Sequence, residues 1–469
     1  MKKLSVSFIF TLFLFNTYAA VADICRVDER TELMSIIFRQ IGAQEFTNND
    51  IPNYISDIEN YFHPYKDEPV LDYVRDLREN FGVAYDAVMS MAINLKIENN
   101  KIGLRDDVSI NTIDSRWQHD SIPKFIALLN EFYQKTDFHK FFTNHMDLYE
   151  RSVDNFSNNV LNKINFDWFE EFYGTKAPEK FTVILSLVNG GGSYAARVKK
   201  KNGKEELFAI VGSWRTDSLG YPVYGENLTS TVIHEFSHSF CNRLINANIN
   251  ELFPQAEKFN ELVKSQMRAM AYGTPHIYLY EILVRACVIK YGEENEKWRS
   301  SYVDFELAQE RNLGFLWIED LYKALTNYTQ NRNEYPSLES FMPVIVETQN
   351  RLNPEEMYKQ VIENQPLILG TNIENGAQDI DPNLDEIIVI FNKPMDVQCN
   401  GASFGKCKDC EFPKSIGDQW NEETKKEWIL TVKLEPNTNY SISFPARFFY
   451  SKNGHYSPKE TYYLDFKTK

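Results

Sequence analysis

The sequence predicts an α+β chain, mostly α, that closes on a separate all-β sandwich. Three changes of hydrophobic period carry that prediction. From Arg30 to about Phe172 apolar residues recur at helical spacing, as in Leu33, Met34, Ile37, Phe38 and Ile41. At Phe181 the pattern breaks into short β-branched runs, and helical spacing resumes at Thr229. From about Gln365 short apolar runs alternate with turn residues to the end of the chain. The division this implies is a signal over 1–22, a helical region over 23–180, an α+β domain over 181–365 and a β-sandwich over 366–469. The 469 residues are enough for two or three domains with real cores.

Taken in order, Lys2 and Lys3 precede an apolar run, Leu4–Phe15, and Ala20-Val21-Ala22 follows as an A-x-A cleavage site. That is the layout of a secretory signal, so export to the periplasm, the cell surface or the medium is expected. Asp23 lies two residues before Cys25, and Ala22-Asp23-Ile24 is no lipobox, so a soluble exported protein is favoured over a lipoprotein. No later run reaches the length of a transmembrane helix. The formal charge of −16 repels phosphate backbones, which argues against a nucleic-acid partner. Pro52, Pro69 and Pro123 sit where helices begin. The Phe and Met stripe from Phe138 to Ile164 reads as core packing on one helical segment.

Phe181–Val188 is an apolar, β-branched run and reads as a buried strand. Gly190-Gly191-Gly192, Ser193–Val198, a charged turn at Lys199–Lys204 and Leu207–Val211 complete what reads as a small meander with a glycine-rich corner. No G-K-[ST] follows the glycines, which leaves a phosphate loop without support. The following helix carries Thr231–Phe240, TVIHEFSHSF, in which His234, Glu235 and His238 stand in the order H-E-x-x-H. Residues four apart share a helix face, so both imidazoles can reach one Zn²⁺. Glu235 then lies beside the metal, placed as general base for a water. Val232, Ile233, Phe236 and Phe240 make the rest of the stretch apolar, as a buried site needs.

A catalytic zinc takes three protein ligands, so one is missing. A histidine six residues after His238 would serve, but that position is Leu244. Glu281, 43 residues downstream in YLYEILVRAC, is a carboxylate among apolar neighbours and must be paired or metal-bound. Arg285 follows one turn later, able to orient Glu281 or to bind a substrate carboxylate or oxyanion. A plain Glu281–Arg285 ion pair is the alternative. His276 is the rival third ligand. Tyr272, Tyr278, Tyr280 and His276 are the candidates for a group beside the developing oxyanion. Cys241 and Cys287 read as buried thiols or as a bridge joining the two helices.

The extended motif, with Thr231 ahead of the pair and Phe240 beyond it, resembles the zincin metallopeptidase signature, and a later helical Glu resembles its gluzincin branch. Gly273-Thr274-Pro275-His276 is faintly similar to the aspzincin G-T-x-D pattern, at too long a spacing. Across residues 25–365 the chain resembles an exported bacterial family of uncharacterised function with a gluzincin-type motif. The resemblance implies a small sheet ahead of the motif helix, zinc as cofactor, and a peptide or protein substrate. It also implies that an edge strand, here Gly191, Gly192, Ser193 and Tyr194, pairs with extended substrate. The expected activity is zinc-dependent peptide hydrolysis. A non-catalytic binding or adhesion protein and a zinc hydrolase of non-peptide bonds are the rival expectations.

In the last segment Ile387–Phe391, Trp428–Lys433, Tyr440–Phe444 and Tyr462–Phe466 read as strands. Asn375-Gly376-Ala377, Ile387–Phe391 with Lys393-Pro394-Met395-Asp396, LEPNTNY over 434–440, and Phe466-Lys467-Thr468 resemble bacterial immunoglobulin-like domains. The resemblance implies a spacer or adhesion module. Cys399, Cys407 and Cys410 are too few for a zinc ribbon, and a loop disulfide is expected among them.

Overall fold

The computed structural model describes residues 24–48, 50–176, 180–270 and 272–469, so the expected signal segment lies outside the described residues. The fold is mixed α+β. Contacts divide it into two compact units, one ending at Arg243 and the other beginning at Leu244. No described helix is long and apolar enough to cross a membrane.

The first unit contains strand β1 (Cys25–Val27), helices α1 (Glu29–Gln40), α2 (Pro52–Phe62), α3 (Pro69–Phe81) and α4 (Asp86–Asn94), and a hairpin of β2 (Leu95–Glu98) and β3 (Lys101–Leu104). Helices α5 (Ile122–Lys135), α6 (Phe138–Asn144), α7 (Met146–Asn159) and α8 (Asp167–Tyr173) follow, then β4 (Lys180–Leu185), β5 (Ser193–Lys199) and β6 (Glu205–Val211). Pro52 and Pro69 open their helices, and Pro123 sits in the first turn of α5. The expected long stripe from Phe138 is broken at His145 into α6 and α7, and Met146 is exposed. Strand β1 and the hairpin have no counterpart in the sequence reading, because three or four residues give too little pattern.

The sheet runs β1-β4-β6-β5, and this corrects the expected meander. Strand β4 does not pair with its sequence neighbour β5. It lies parallel to β6, with Val183 opposite Ala209, and parallel to β1 on its other side. Strand β5 is antiparallel to β6 at the edge, with Tyr194 opposite Ile210. A continuous apolar run is what a central parallel strand requires, since both faces are covered. The crossing works because Gly212 brings backbone against backbone: a Cβ there would sit 2.1 Å from the Gly190 carbonyl oxygen. Helix α1 is buried along most of its length, and Glu32 within it is fully enclosed. Its carboxylate accepts the Leu187 N–H at 2.8 Å and the Tyr54 hydroxyl at 2.9 Å. Tyr54 in turn meets the Tyr149 hydroxyl at 2.7 Å.

Helix α9 (Leu228–Ala247) carries the H-E-x-x-H stretch, and the division between the units falls inside it. The second unit continues with α10 (Ile249–Leu262), α11 (Lys264–Ala269), α12 (Pro275–Asn295), α13 (Ser300–Leu313), α14 (Ile318–Gln330), α15 (Leu338–Asn350) and α16 (Pro354–Asn364). Ser337 caps α15 through a reciprocal box with Ser340. Two four-stranded sheets follow, ordered β11-β12-β9-β7 and β10-β13-β14-β8. Their strands are β7 (Ile368–Thr371), β8 (Ala377–Ile380), β9 (Glu386–Phe391), β10 (Ser403–Phe404), β11 (Lys414–Trp420), β12 (Glu427–Lys433), β13 (Asn439–Phe444) and β14 (Tyr462–Thr468). Val389, Trp428, Ile442 and Leu464 contribute to one core that draws on both sheets. The Tyr440 hydroxyl accepts the Glu435 N–H at 2.7 Å, pinning the corner of the LEPNTNY stretch. Cys407 and Cys410 are joined as a disulfide, so neither is a metal ligand. The connection between β13 and β14 docks on α13: Asn312 donates to the His455 carbonyl at 2.8 Å, and Arg311 lies 3.9 Å over the Tyr456 ring.

Candidate metal centre

Helix α9 is held by its apolar face. Phe236 meets Phe169 at 4.6 Å and Phe181 at 4.8 Å, ring centre to ring centre, and Phe240 stacks on Tyr173 at 4.2 Å. Such aromatic pairs add orientation to simple burial, about 0.5–1.5 kcal/mol each. Val232, Ile233 and Cys241 are buried with them. This grip fixes the rotation of the helix and leaves His234, Glu235 and His238 half-buried on the other side.

The two imidazoles converge. The His234 and His238 Nε2 atoms lie 3.2 Å apart, with ring planes inclined at 78°. Two nitrogens bound to one tetrahedral zinc at about 2.0–2.1 Å stand about 3.4 Å from each other, so the pair is nearly set for one ion. On the far side of its ring, His238 Nδ1 lies 3.0 Å from the Asn242 Oδ1. An amide oxygen can only accept, so this contact is a hydrogen bond in the tautomer that carries its proton on Nδ1, the one that leaves the Nε2 lone pair facing inward. Glu235 has a buried Oε2 with no hydrogen-bond partner. A buried carboxylate oxygen left without a donor is costly, and a proton-bearing ligand at the centre would satisfy it.

Glu281 lies on α12, whose first turn is capped by Thr274 accepting the Ile277 N–H. It is 6% exposed. One ligand atom from each of His234, His238 and Glu281 lies within 4.8 Å of the others, the one such three-residue group among the described residues. Two histidines and a carboxylate with this spacing suit a divalent zinc-like cation. Arg285 approaches Glu281 at 3.5 Å through Nε. Its Nη1 donates to both oxygens of Glu310, at 2.9 and 2.8 Å, and its guanidinium lies 4.7 Å over the Phe315 ring. Arg285 is therefore held by two carboxylates, Glu310 through hydrogen bonds and Glu281 at ion-pair distance.

The remaining candidates separate. His276 Nε2 lies 2.8 Å from the Asn246 Oδ1, and Tyr280 donates to the same oxygen at 2.6 Å, so Asn246 gathers both. Tyr278 is fully buried, its ring stacked on Phe315 and its hydroxyl directed at the Gly314 carbonyl, and burial pushes its pKa far up. It is a core residue. Tyr272 accepts from Arg285 Nη2 at 3.4 Å. Ser193 and Tyr194 begin the edge strand β5, whereas Gly191 and Gly192 form the turn before it. Burial, with Glu45 nearby, pushes the Tyr194 hydroxyl up to about 12. Asn242, Asn246 and Glu310 have no role in the sequence reading. The signal for the first two was present: positions 234, 238, 242 and 246 form a polar row at four-residue steps.

Residues 21–348 match a family described as "Domain of unknown function (DUF4932)". No curated protein matches the chain. Among solved structures it is similar to the crystal structure of the S-layer protein rSbsC(31-844) and to surface layer protein SbsC, domains 1-6. In both cases identity is 14%, the match covers 53% of this chain and 34% of that chain, and the TM-score is 0.17. The chain thus spans about a third of those structures, and so low a score says nothing of its fold or function.

Proposed function

With well over half of its length matched, the chain belongs to the DUF4932 family, and for this member we propose zinc-dependent hydrolysis of peptide bonds at His234, Glu235, His238 and Glu281. The observation that carries the proposal is the convergence of two imidazole nitrogens 3.2 Å apart with a carboxylate within 4.8 Å, beside a Glu235 oxygen that has no partner. A bound zinc ion would lower the pKa of a water toward neutrality and polarise a substrate carbonyl. His234, His238 and Glu281 would hold it. Glu235 accepts the proton of the attacking water and passes it to the leaving amine, so it ends each turnover as it began. Arg285 keeps the Glu281 carboxylate oriented. The burial of Phe236 and Phe240 holds the two histidines in register.

The antiparallel strand β5 lies at the edge of the sheet, with no strand beyond it among the described residues. In the zincin-like reading an extended peptide adds there as a further strand, main chain to main chain. The two C-terminal sheets are read as an immunoglobulin-like spacer or adhesion module. Export is part of the same reading.

The test is zinc content and peptide hydrolysis in wild type and Glu235→Gln. The amide keeps the shape and the metal but cannot take a proton. We expect one zinc per chain in both proteins and a loss of turnover of about 10²–10⁴-fold or more in the variant. Full activity in Glu235→Gln removes the general base from the mechanism, and wild type without stoichiometric zinc removes the metal.

A further inference from the structure

We infer that Asn242 is a positioning residue that fixes the tautomer of His238 and thereby makes it a competent metal ligand. The inference rests on the zinc reading above, but the hydrogen bond behind it joins two side chains of this chain and can be measured without a metal. Neutral imidazole carries one proton on either nitrogen, and only the nitrogen without it can bind a metal. The Asn242 Oδ1 lies 3.0 Å from His238 Nδ1 and offers only lone pairs. It holds the proton on Nδ1. The lone pair of Nε2 is then aimed into the centre, where His234 Nε2 stands 3.2 Å away.

The geometry comes from the helix itself. Asn242 is one turn beyond His238 on α9, and the four-residue step stacks the two side chains. The orienting group therefore travels with its ligand on a single element and needs no other part of the fold to hold it. The acceptor is also neutral. A carboxylate there would make the imidazole more basic and bring a further negative charge toward a centre that already carries Glu235 and Glu281. An amide fixes the tautomer without that charge.

Two measurements test this together. The first is the ¹⁵N spectrum of histidine-labelled, metal-free protein, with the His238 signals assigned by their loss in His238→Gln. Wild type should show the Nδ1–H form at His238. Asn242→Leu, which keeps the volume but offers no acceptor, should lose that preference. The second is zinc affinity by competition with a chromophoric chelator. Asn242→Leu and Asn242→Ala should bind zinc about 10–100-fold more weakly, and Asn242→Asp, which restores an acceptor, should recover most of the loss. Thermal unfolding of the metal-free variants should match that of wild type within the range of a surface substitution, which separates positioning from folding. An Nε2–H form in wild type, or equal zinc affinity in wild type and Asn242→Leu, overturns the assignment. If wild type shows the Nδ1–H form yet takes up no zinc, the zinc reading fails and so does the role of Asn242 toward a metal, while its hold on the tautomer stands as measured.

Discussion

Replacing Glu32 by Gln should change how the protein's stability depends on pH. Glu32 is fully buried in α1, and its carboxyl is pushed up from 4.5 to about 7, because burial outweighs the hydrogen bonds from Leu187 and Tyr54. The fold therefore favours the protonated acid. A carboxyl with a raised pKa contributes stability that is fully present below its unfolded value, near 4.5, and is lost as pH rises through about 7. Each tenfold in proton affinity is worth about 1.4 kcal/mol, so the loss between pH 4.5 and pH 8 is about 3 kcal/mol. Gln fits the same space. Its oxygen can accept the Leu187 N–H while its NH₂ donates to Tyr54, whose own proton turns to Tyr149. Urea unfolding of wild type and Glu32→Gln at intervals from pH 5 to pH 8.5 gives the difference at each pH, in which titrations elsewhere cancel. We expect the variant to gain on wild type by about 3 kcal/mol across that range. Two stability curves that stay parallel would show that Glu32 is ionised throughout and that the burial argument is wrong.

Two further outcomes follow from the site and the sheet. Glu281→Ala should weaken zinc binding by at least about 100-fold, while His276→Ala, whose ring is engaged by Asn246, should keep its zinc. Metal analysis of both variants decides, and the reverse result would name His276 as the third ligand. Gly212→Ala should destabilise the first unit by about 3 kcal/mol or more, because its Cβ would press on the Gly190 and Gly192 carbonyls at 2.1 and 2.5 Å. Gly103→Ala is the control, since a Cβ there meets only the end of Lys96, at 3.9 Å. Equal melting temperatures for the two variants would refute the close-approach argument.

Much of this was legible in the sequence because it depends on local spacing. The pairing of His234 with His238 needs only the pitch of a helix, and an H-E-x-x-H on an apolar helix fixes it. The polar row through Asn242 and Asn246 is equally local and was available to be read. The helix at Glu281 announced itself as buried because its apolar residues surround the whole circumference. Strands β9, β12, β13 and β14 alternate clearly enough to be placed within a residue or two, whereas β10 is too short and β11 too exposed along its length to show a pattern.

Tertiary structure decided whatever depends on residues distant in the chain. An apolar run such as Phe181–Leu185 can be a hairpin arm or a central parallel strand, and only its partners β1 and β6 choose between them. Arg285 on a helix can serve a substrate or a neighbour, and Glu310, 25 residues on, commits it. Tyr278 and Tyr280 look alike in sequence, but two residues apart on a helix they point in different directions: one stacks on Phe315, the other reaches Asn246. The sequence by itself determined which residues can share a helix face. The fold determined which of those faces meet, because burial and long-range pairing set the free energy of every such contact.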